Sequence, residues 1–128
     1  MRYLLDTHAL LWFVAGDDAL PDRSRTLIAS PAHEMLVSAA SAWEVATKFR
    51  IGKLPGAALL ARNFVDTVAG LGFAPLAITA AAAQRAGGWE IEHRDPFDRI
   101  LAAQAELERV PLITNDAAFA AFGVQTVW

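Results

Sequence analysis

The hydrophobic and polar positions of this chain form two patterns, short apolar runs and longer stripes with helical spacing. Short apolar runs that end at polar or turn residues are typical of buried strands. They predict strands at RYLL (2–5), EMLVSA (34–39), FAPLAI (73–78), VPLIT (110–114) and VQTVW (124–128). The segment WEIEH (89–93) fits either a loop or a strand.

Between these runs, apolar residues recur every three or four positions, which predicts helices. The predicted helices cover residues 7–16, 22–30, 41–52, 57–72, 79–88, 97–109 and 115–123. Ser41 is a candidate N-cap for the third of them, and Gly16 and Gly52 are typical stop signals. Since strands and helices alternate along the whole chain, the pattern predicts an α/β fold with a mostly parallel sheet.

Composition narrows the class of protein. The 128 residues fit a single domain spanning 1–128, and 55 % of them are hydrophobic, which is enough for a substantial core. No apolar run approaches the ~18 residues of a membrane span, so we expect no membrane partner and a cytoplasmic location. The chain has no cysteine, which excludes disulfides and thiolate zinc sites.

The overall charge argues weakly against a nucleic-acid partner. The chain carries 11 basic and 14 acidic residues, a net charge of −3, whereas domains that bind nucleic acids are usually basic. If several acids are gathered in one site, however, the rest of the chain is close to neutral. The charge therefore does not exclude an RNA substrate.

Four acids stand at junctions between predicted strands and helices. Asp6 ends the first strand and Asp116 follows the strand at 110–114. Glu44 lies one turn into a helix that follows a strand, and Asp98 lies in the first turn of the long helix. In an open parallel sheet, such positions fall at the carboxyl edge, where ligands bind. We therefore expect all four to face the same end of the sheet.

Each acid also has a purely structural interpretation. Asp6 and Asp116 can cap the helices that follow them. Asp95, as N-cap before Pro96, together with Asp98, resembles a capping box. Glu44 can pair with Lys48 at i, i+4 on a solvated helix face. In favour of a site, Asp98 heads the apolar stripe Leu101, Ala102 and Ala105, and a solvated cap need not share a face with a buried stripe.

Carboxylates gathered at one edge would repel each other unless a cation balanced them. Oxygen ligands without cysteine favour Mg²⁺, with Mn²⁺ as the alternative. A site of this kind suits metal-assisted hydrolysis of phosphodiester bonds, in which the metal activates water and stabilises the leaving oxygen.

The segments YLLDTHALLW, VSAASAWEVATKFRIGKL, HRDPFDRILAAQA and PLITND resemble the PIN-domain family, and within it the VapC-type toxins of bacterial type II toxin–antitoxin pairs. The resemblance runs from residue 3 to 116. It implies a three-layer α/β/α sandwich and a Mg²⁺-dependent endoribonuclease that hydrolyses RNA with metal-activated water. It also implies a homodimer and inhibition by a small cognate antitoxin.

Carried over residue by residue, the acids of the family match Asp6, Glu44, Asp98 and Asp116. Asp6 and Asp98 are then the expected direct metal ligands, and Glu44 and Asp116 complete the pocket directly or through water. Asp95 is assigned mainly to capping, because a residue before proline is held extended, as an N-cap requires.

Several other residues are candidates for supporting roles. Thr114 and Asn115 can orient a carboxylate or a water, or can be ordinary turn residues, whereas His8 and His93 are expected to be structural. For RNA phosphate contact the candidates are Lys48, Arg50, Arg94 and Arg99. A solvated helix face explains Lys48 and Arg50 about as well, and Arg99 can instead pair with an acid.

Two other functions compete with a ribonuclease. The acids can all be helix caps in a partner-binding α/β module without catalysis, and the apolar helix ALLWFV would then suit a partner surface. The same acids can also serve a phosphatase or a DNA nuclease. A phosphatase that forms an aspartyl-phosphate needs Asp-x-Asp after the first strand, and the sequence Asp6-Thr7-His8 argues against it. The residues do not distinguish DNA from RNA, and only the resemblance favours RNA.

Overall fold

A parallel sheet of five strands forms the centre of the computed structural model, which describes residues 1–128. The strands are β1 (Arg2–Leu5), β2 (Glu34–Ser38), β3 (Ala74–Leu76), β4 (Leu112–Ile113) and β5 (Thr126–Val127). Their order across the sheet is β3-β2-β1-β4-β5, and every neighbouring pair is parallel. The predicted parallel α/β sheet is confirmed, and 89–93 is not a strand.

Six α-helices and two 3₁₀ helices connect the strands. They are α1 (Thr7–Ala15), α2 (Asp22–Ala29), α3 (Ala39–Arg50), α4 (Ala58–Gly70), α5 (Ala80–Gly88) and α6 (Pro96–Glu108), with 3₁₀ helices at Pro55–Ala57 and Ala117–Phe122. The predicted helix at 115–123 is thus a 3₁₀ helix, and α4 is kinked at Asn63. The longest helices have 13 residues, and none is long and apolar enough to cross a bilayer.

Side chains of the strands alternate between two hydrophobic cores, one on each face of the sheet. Tyr3 and Leu5 face a core that is closed by residues of α1 to α4. Leu4 faces the other core, where Leu101 of α6 and Phe119 of the second 3₁₀ helix pack against the sheet. Helices therefore cover both faces, which confirms the three-layer α/β/α sandwich.

The start of α3 differs from its prediction. Ser38 rather than Ser41 is the N-cap, because the last residue of β2 already has the extended backbone that a cap requires, and its hydroxyl accepts the N–H of Ala40 at 2.9 Å. Ser41 is buried and its hydroxyl lies 3.0 Å from that of Thr7 in α1. The helix consequently begins directly at the carboxyl edge of the sheet and carries Glu44 over that edge.

Candidate functional site

An open pocket of about 450 Å³ lies where the carboxyl ends of β1, β2 and β4 meet the start of α6. Its polar lining consists of Asp6, Thr7, His8, Glu44, Lys48, Asp95, Asp98, Asn115 and Asp116, and its apolar lining of Trp12, Ala117 and Phe119. The four predicted acids come from four different parts of the chain, and folding brings them to this one pocket, which we call the acid pocket.

Asp6 is buried at the end of β1, with 6 % of its surface exposed. Its Oδ1 accepts the N–H of Ala9 at 2.7 Å and so caps α1, while its Oδ2 accepts the hydroxyl of Thr114. Burial raises the pKa of Asp6, although the hydrogen bonds from Thr114 and Ala9 act in the opposite direction. The carboxylate is therefore both a cap and a fixed group in the lining of the pocket.

Thr114 connects two of the acids. Its hydroxyl donates to Asp6 and accepts the backbone N–H of Asp116 at 3.1 Å. The expectation that Thr114 orients a carboxylate agrees with these bonds. The side chain is buried beneath the pocket rather than in its lining.

Glu44 is 3 % exposed and forms an ion pair with Lys48, one turn further along α3. The pairing matches the structural alternative, but the pair is not on a solvated face. Burial by itself would lower the pKa of Lys48, yet the hydrogen bond and charge of Glu44, together with the charges of Asp95 and Asp98, raise it. Lys48 is thus a stable cation within the acid pocket.

The start of α6 places two aspartates with different tasks. Asp95 is the N-cap, and its Oδ1 accepts the N–H groups of Phe97 at 2.9 Å and of Asp98 at 3.3 Å. Pro96 is the first helical residue, as its fixed φ favours. The predicted capping role of Asp95 is confirmed, and the residue also lines the acid pocket.

Asp98 is half-buried, and its Oδ2 lies 2.9 Å from Nε2 of His93. Burial raises the pKa of Asp98 to about 6, with the charges of Asp95 and Glu44 adding to the effect and His93 opposing it. Sequence reasoning treated His93 as a structural residue and missed this contact. No periodic pattern joins the two residues, because His93 lies in a segment without regular secondary structure.

Asp116 and Asn115 form the exposed side of the pocket. The side chain of Asp116 accepts the N–H of Ala118 at 2.9 Å and caps the 3₁₀ helix. His8 and Trp12 also line the pocket, with ring centroids 5.6 Å apart. Neither was assigned to the site from the sequence, although both lie in the helix that Asp6 caps.

The basic residues predicted to contact RNA lie in different environments. Lys48 lines the acid pocket, whereas Arg50 and Arg94 are exposed and do not line it. Arg99 makes no ion pair with an acid, which corrects that alternative, and its contact with RNA stays a prediction. Its guanidinium donates to four backbone carbonyls, of Ala86, Trp89, Ile91 and His93, at 2.6–2.9 Å.

The chemistry of the donor set fits a hard divalent cation. Five carboxylates line the pocket, and Lys48 is the single lysine in the lining, which contains no arginine. The carboxylates are oxygen donors of the kind that Mg²⁺ and Mn²⁺ prefer. No three of them are close enough together to hold an ion in this arrangement. Asp6, Glu44 and Asp98 are each engaged by a neighbouring side chain.

Comparison with known sequences gives one family and one curated relative. The PIN domain family matches residues 3–124. Ribonuclease VapC16 of Mycobacterium tuberculosis is 36 % identical over 69 residues, which are 52 % of this chain. That match spans about half of the relative, 49 % of its length.

Solved structures share the fold. One is VapBC2 from Rickettsia felis bound to a DNA fragment from the VapBC2 promoter, with a TM-score of 0.71 at 16 % identity. The match covers 99 % of this chain and 98 % of the solved chain. VapC20 of Mycobacterium tuberculosis, described as a toxin that cleaves the sarcin–ricin loop, has a TM-score of 0.68 at 20 % identity and covers 95 % of both chains. At such identities the likeness concerns the fold alone.

Proposed function

Because this chain belongs to the PIN domain family, we propose that it is a Mg²⁺-dependent endoribonuclease and the toxin of a toxin–antitoxin pair. The observation that carries the proposal is the convergence of Asp6, Glu44, Asp98 and Asp116 on one pocket. The similarity to a protein named as a ribonuclease supports RNA as the substrate class.

In this proposal Asp6 and Asp98 hold the metal ion, and Glu44 and Asp116 complete its surroundings directly or through water. When bound, Mg²⁺ supplies activation of a water molecule and stabilisation of the negative charge on the leaving oxygen. Mn²⁺, with similar ligand preferences, can replace it.

The residues of the chain prepare this site in specific ways. Thr114 and the N–H of Ala9 fix both oxygens of Asp6, so its carboxylate has one orientation. Asp98, with its pKa raised to about 6, is mostly ionised at pH 7 and is available as an oxygen ligand. Lys48 balances part of the acidic charge and is placed to contact a phosphate of the substrate.

RNA approaching the acid pocket meets further positive charge outside it. Arg50 and Arg94 are exposed, and their side chains make no ion pair with the rest of the chain. Contacts from such residues to phosphates contribute affinity without sequence selection. We propose that Arg50 and Arg94 contact the RNA backbone.

Exposed apolar surface supports protein partners, a second copy of this chain and a small antitoxin. An apolar groove of about 430 Å³ runs between α3, α4 and β3, and Val65 at its side is 79 % exposed. In α1, Trp12 and Phe13 are only half-buried. Light scattering on the chain alone and with the co-expressed antitoxin measures both assemblies, and a monomer in each sample would exclude them.

RNA cleavage with purified protein tests the activity. We expect endonucleolytic products with 5′-phosphate and 3′-hydroxyl ends, formed in Mg²⁺ and not in EDTA. Asp6→Ala and Asp98→Ala should each reduce cleavage by at least about 10²-fold, the order seen when a group essential to charge stabilisation is removed. Circular dichroism checks that the variants fold.

The control variant is Asp66→Ala, since Asp66 is exposed on α4 outside the acid pocket, and it should cleave as the wild type does. Metal-dependent cleavage retained by both pocket variants, or 2′,3′-cyclic phosphate ends, would contradict the assignment.

A partner-binding module without catalysis is the second candidate, because Asp6, Asp95 and Asp116 do cap helices.

A further inference from the structure

Residues 89–94 join α5 to α6 without regular secondary structure, and the side chain of Arg99 binds their backbone at several points. Arg99 donates to the carbonyl oxygens of Ala86 at 2.7 Å, Trp89 at 2.6 Å, Ile91 at 2.9 Å and His93 at 2.8 Å. These bonds engage all three nitrogens of the guanidinium. Carbonyls that would lack partners in an irregular segment are thereby satisfied.

The same helix holds His93 from a second direction. Asp98, the neighbour of Arg99, contacts Nε2 of His93 through its Oδ2 at 2.9 Å. The imidazole also packs edge-on against Phe122, with ring centroids 5.5 Å apart and an interplanar angle of 78°. His93 is therefore fixed at its backbone by Arg99 and at its ring by Asp98 and Phe122.

This arrangement restricts the carboxylate of Asp98. A carboxylate on a free side chain can rotate and present either oxygen, but the imidazole of His93 engages Oδ2. No protein group donates a hydrogen bond to Oδ1, and Asp98 lines the acid pocket. One oxygen is thus held by the protein, and the other is available to a ligand.

We propose that His93 is a positioning residue that orients the carboxylate of Asp98 for metal binding, and that Arg99 acts through His93 by holding residues 89–94. The inference rests on the proposed function, because it takes Asp98 as a metal ligand. Partners that hydrogen-bond to a ligating side chain typically change metal affinity by about 10–100-fold when they are removed.

Two substitutions at His93 separate positioning from packing. His93→Phe keeps an aromatic ring against Phe122 but removes the hydrogen bond to Asp98. His93→Gln shortens the apolar contact but keeps an N–H donor near the position of Nε2. A purely structural role predicts that the phenylalanine variant is the better substitute, whereas a positioning role predicts the glutamine variant.

Arg99→Lys tests the second half of the inference. Lysine keeps the charge, but a single ammonium group cannot bridge four carbonyls as a planar guanidinium does. Residues 89–94 should then be less ordered, and the hydrogen bond between His93 and Asp98 should be formed for a smaller fraction of the time. If Arg99 acts through His93, the double variant with His93→Phe should bind metal no more weakly than His93→Phe alone.

Isothermal titration with Mn²⁺ on the metal-free protein measures the effect without reference to cleavage. We expect affinity about 10–100-fold weaker in His93→Phe, a smaller loss in Arg99→Lys and near-wild-type affinity in His93→Gln. Thermal unfolding without metal identifies any variant that has lost its fold, and since His93→Phe preserves the packing, the test does not depend on Arg99→Lys folding.

The outcomes distinguish the inference from the proposed function. Wild-type affinity in His93→Phe, or equal losses in the phenylalanine and glutamine variants, would overturn the positioning role while the metal site stood. A wild-type chain that binds no Mn²⁺ would remove the metal site itself and the inference with it. Additive losses in the double variant would overturn the role of Arg99.

Discussion

At the scale of single residues, the aspartates of the acid pocket are helix caps as well as candidate ligands. Asp6, Asp95 and Asp116 each accept a backbone N–H at the start of a helix. Capping needs an extended backbone and a side chain directed at the first turn, so it also fixes where the carboxylate lies. The sequence suggested that one aspartate can serve as both cap and ligand. The caps are present, and the ligand role stays a prediction.

Asp98 differs from these three, because no helix uses its side chain as a cap. Burial raises its pKa to about 6. Between the ordinary value of 3.8 and this raised value, the folded chain binds more protons than the unfolded chain. Stability in the metal-free state therefore falls as the pH rises through this window.

Asp98→Asn removes that charge while keeping a similar shape. We expect its Tm, measured by circular dichroism without metal, to exceed that of the wild type by roughly 3–6 °C at pH 7.5. The difference should shrink steadily between pH 6.5 and pH 4.5, where the wild-type carboxyl becomes protonated in the folded state. Asp66→Asn, at an exposed position of α4, serves as the control. A gain that did not change with pH would argue against a raised pKa.

At the scale of elements, the positions of strands and helices followed the sequence pattern closely, but their ends did not. The predicted cap at Ser41 was wrong, because β2 runs into α3 without a loop and Ser38 is the last extended residue. The helix predicted at 57–72 is α4 (Ala58–Gly70), which follows a 3₁₀ helix and is kinked at Asn63, a residue with modest helix propensity. Local periodicity does not report such details, since they depend on packing.

The hydroxyl of Ser38 makes two hydrogen bonds at the junction of β2 and α3. Its hydroxyl accepts the N–H of Ala40 and donates to Oε1 of Gln104, a buried residue of α6. Ser38→Ala should therefore destabilise the chain by about 1–3 kcal/mol, since a cap is lost and a buried acceptor loses its donor. Urea unfolding monitored by circular dichroism measures the change.

Ser30→Ala provides the comparison for that substitution. Ser30 accepts the N–H of Ala32 at 3.2 Å in an exposed turn, where water can replace the hydroxyl. The expected loss there is a few tenths of a kcal/mol, as for most surface substitutions. Equal losses in the two variants would contradict the role assigned to Ser38.

At the scale of the whole molecule, the sheet order gathers acids that are far apart in sequence. β1 is the central strand, with β2 on one side and β4 on the other, so Asp6 lies between the acids that follow those strands. Helix capping and the ion pair with Lys48 fix the positions of the carboxylates. A cation that bound there would be expected to stabilise the fold.

Mn²⁺ should accordingly raise the Tm of the wild-type chain. A ligand that binds only the folded state, at about 100 times its Kd, adds roughly 2.7 kcal/mol of stability. The shift, measured by differential scanning fluorimetry at pH 7.5, should vanish in Asp98→Asn and persist in Asp66→Asn. Absence of a shift at millimolar Mn²⁺ would favour the partner-binding module, in which the acids serve only as caps.

The sequence by itself determined the α/β class and the placement of four acids at the ends of strands and the starts of helices, because both depend on local periodicity and chain order. Only the tertiary structure decided which atoms engage those acids. Thr114 reaches Asp6 across 108 positions of sequence, and Arg99 binds carbonyls of a segment that has no regular pattern. Such contacts depend on how distant strands and loops pack against each other, which local periodicity does not encode.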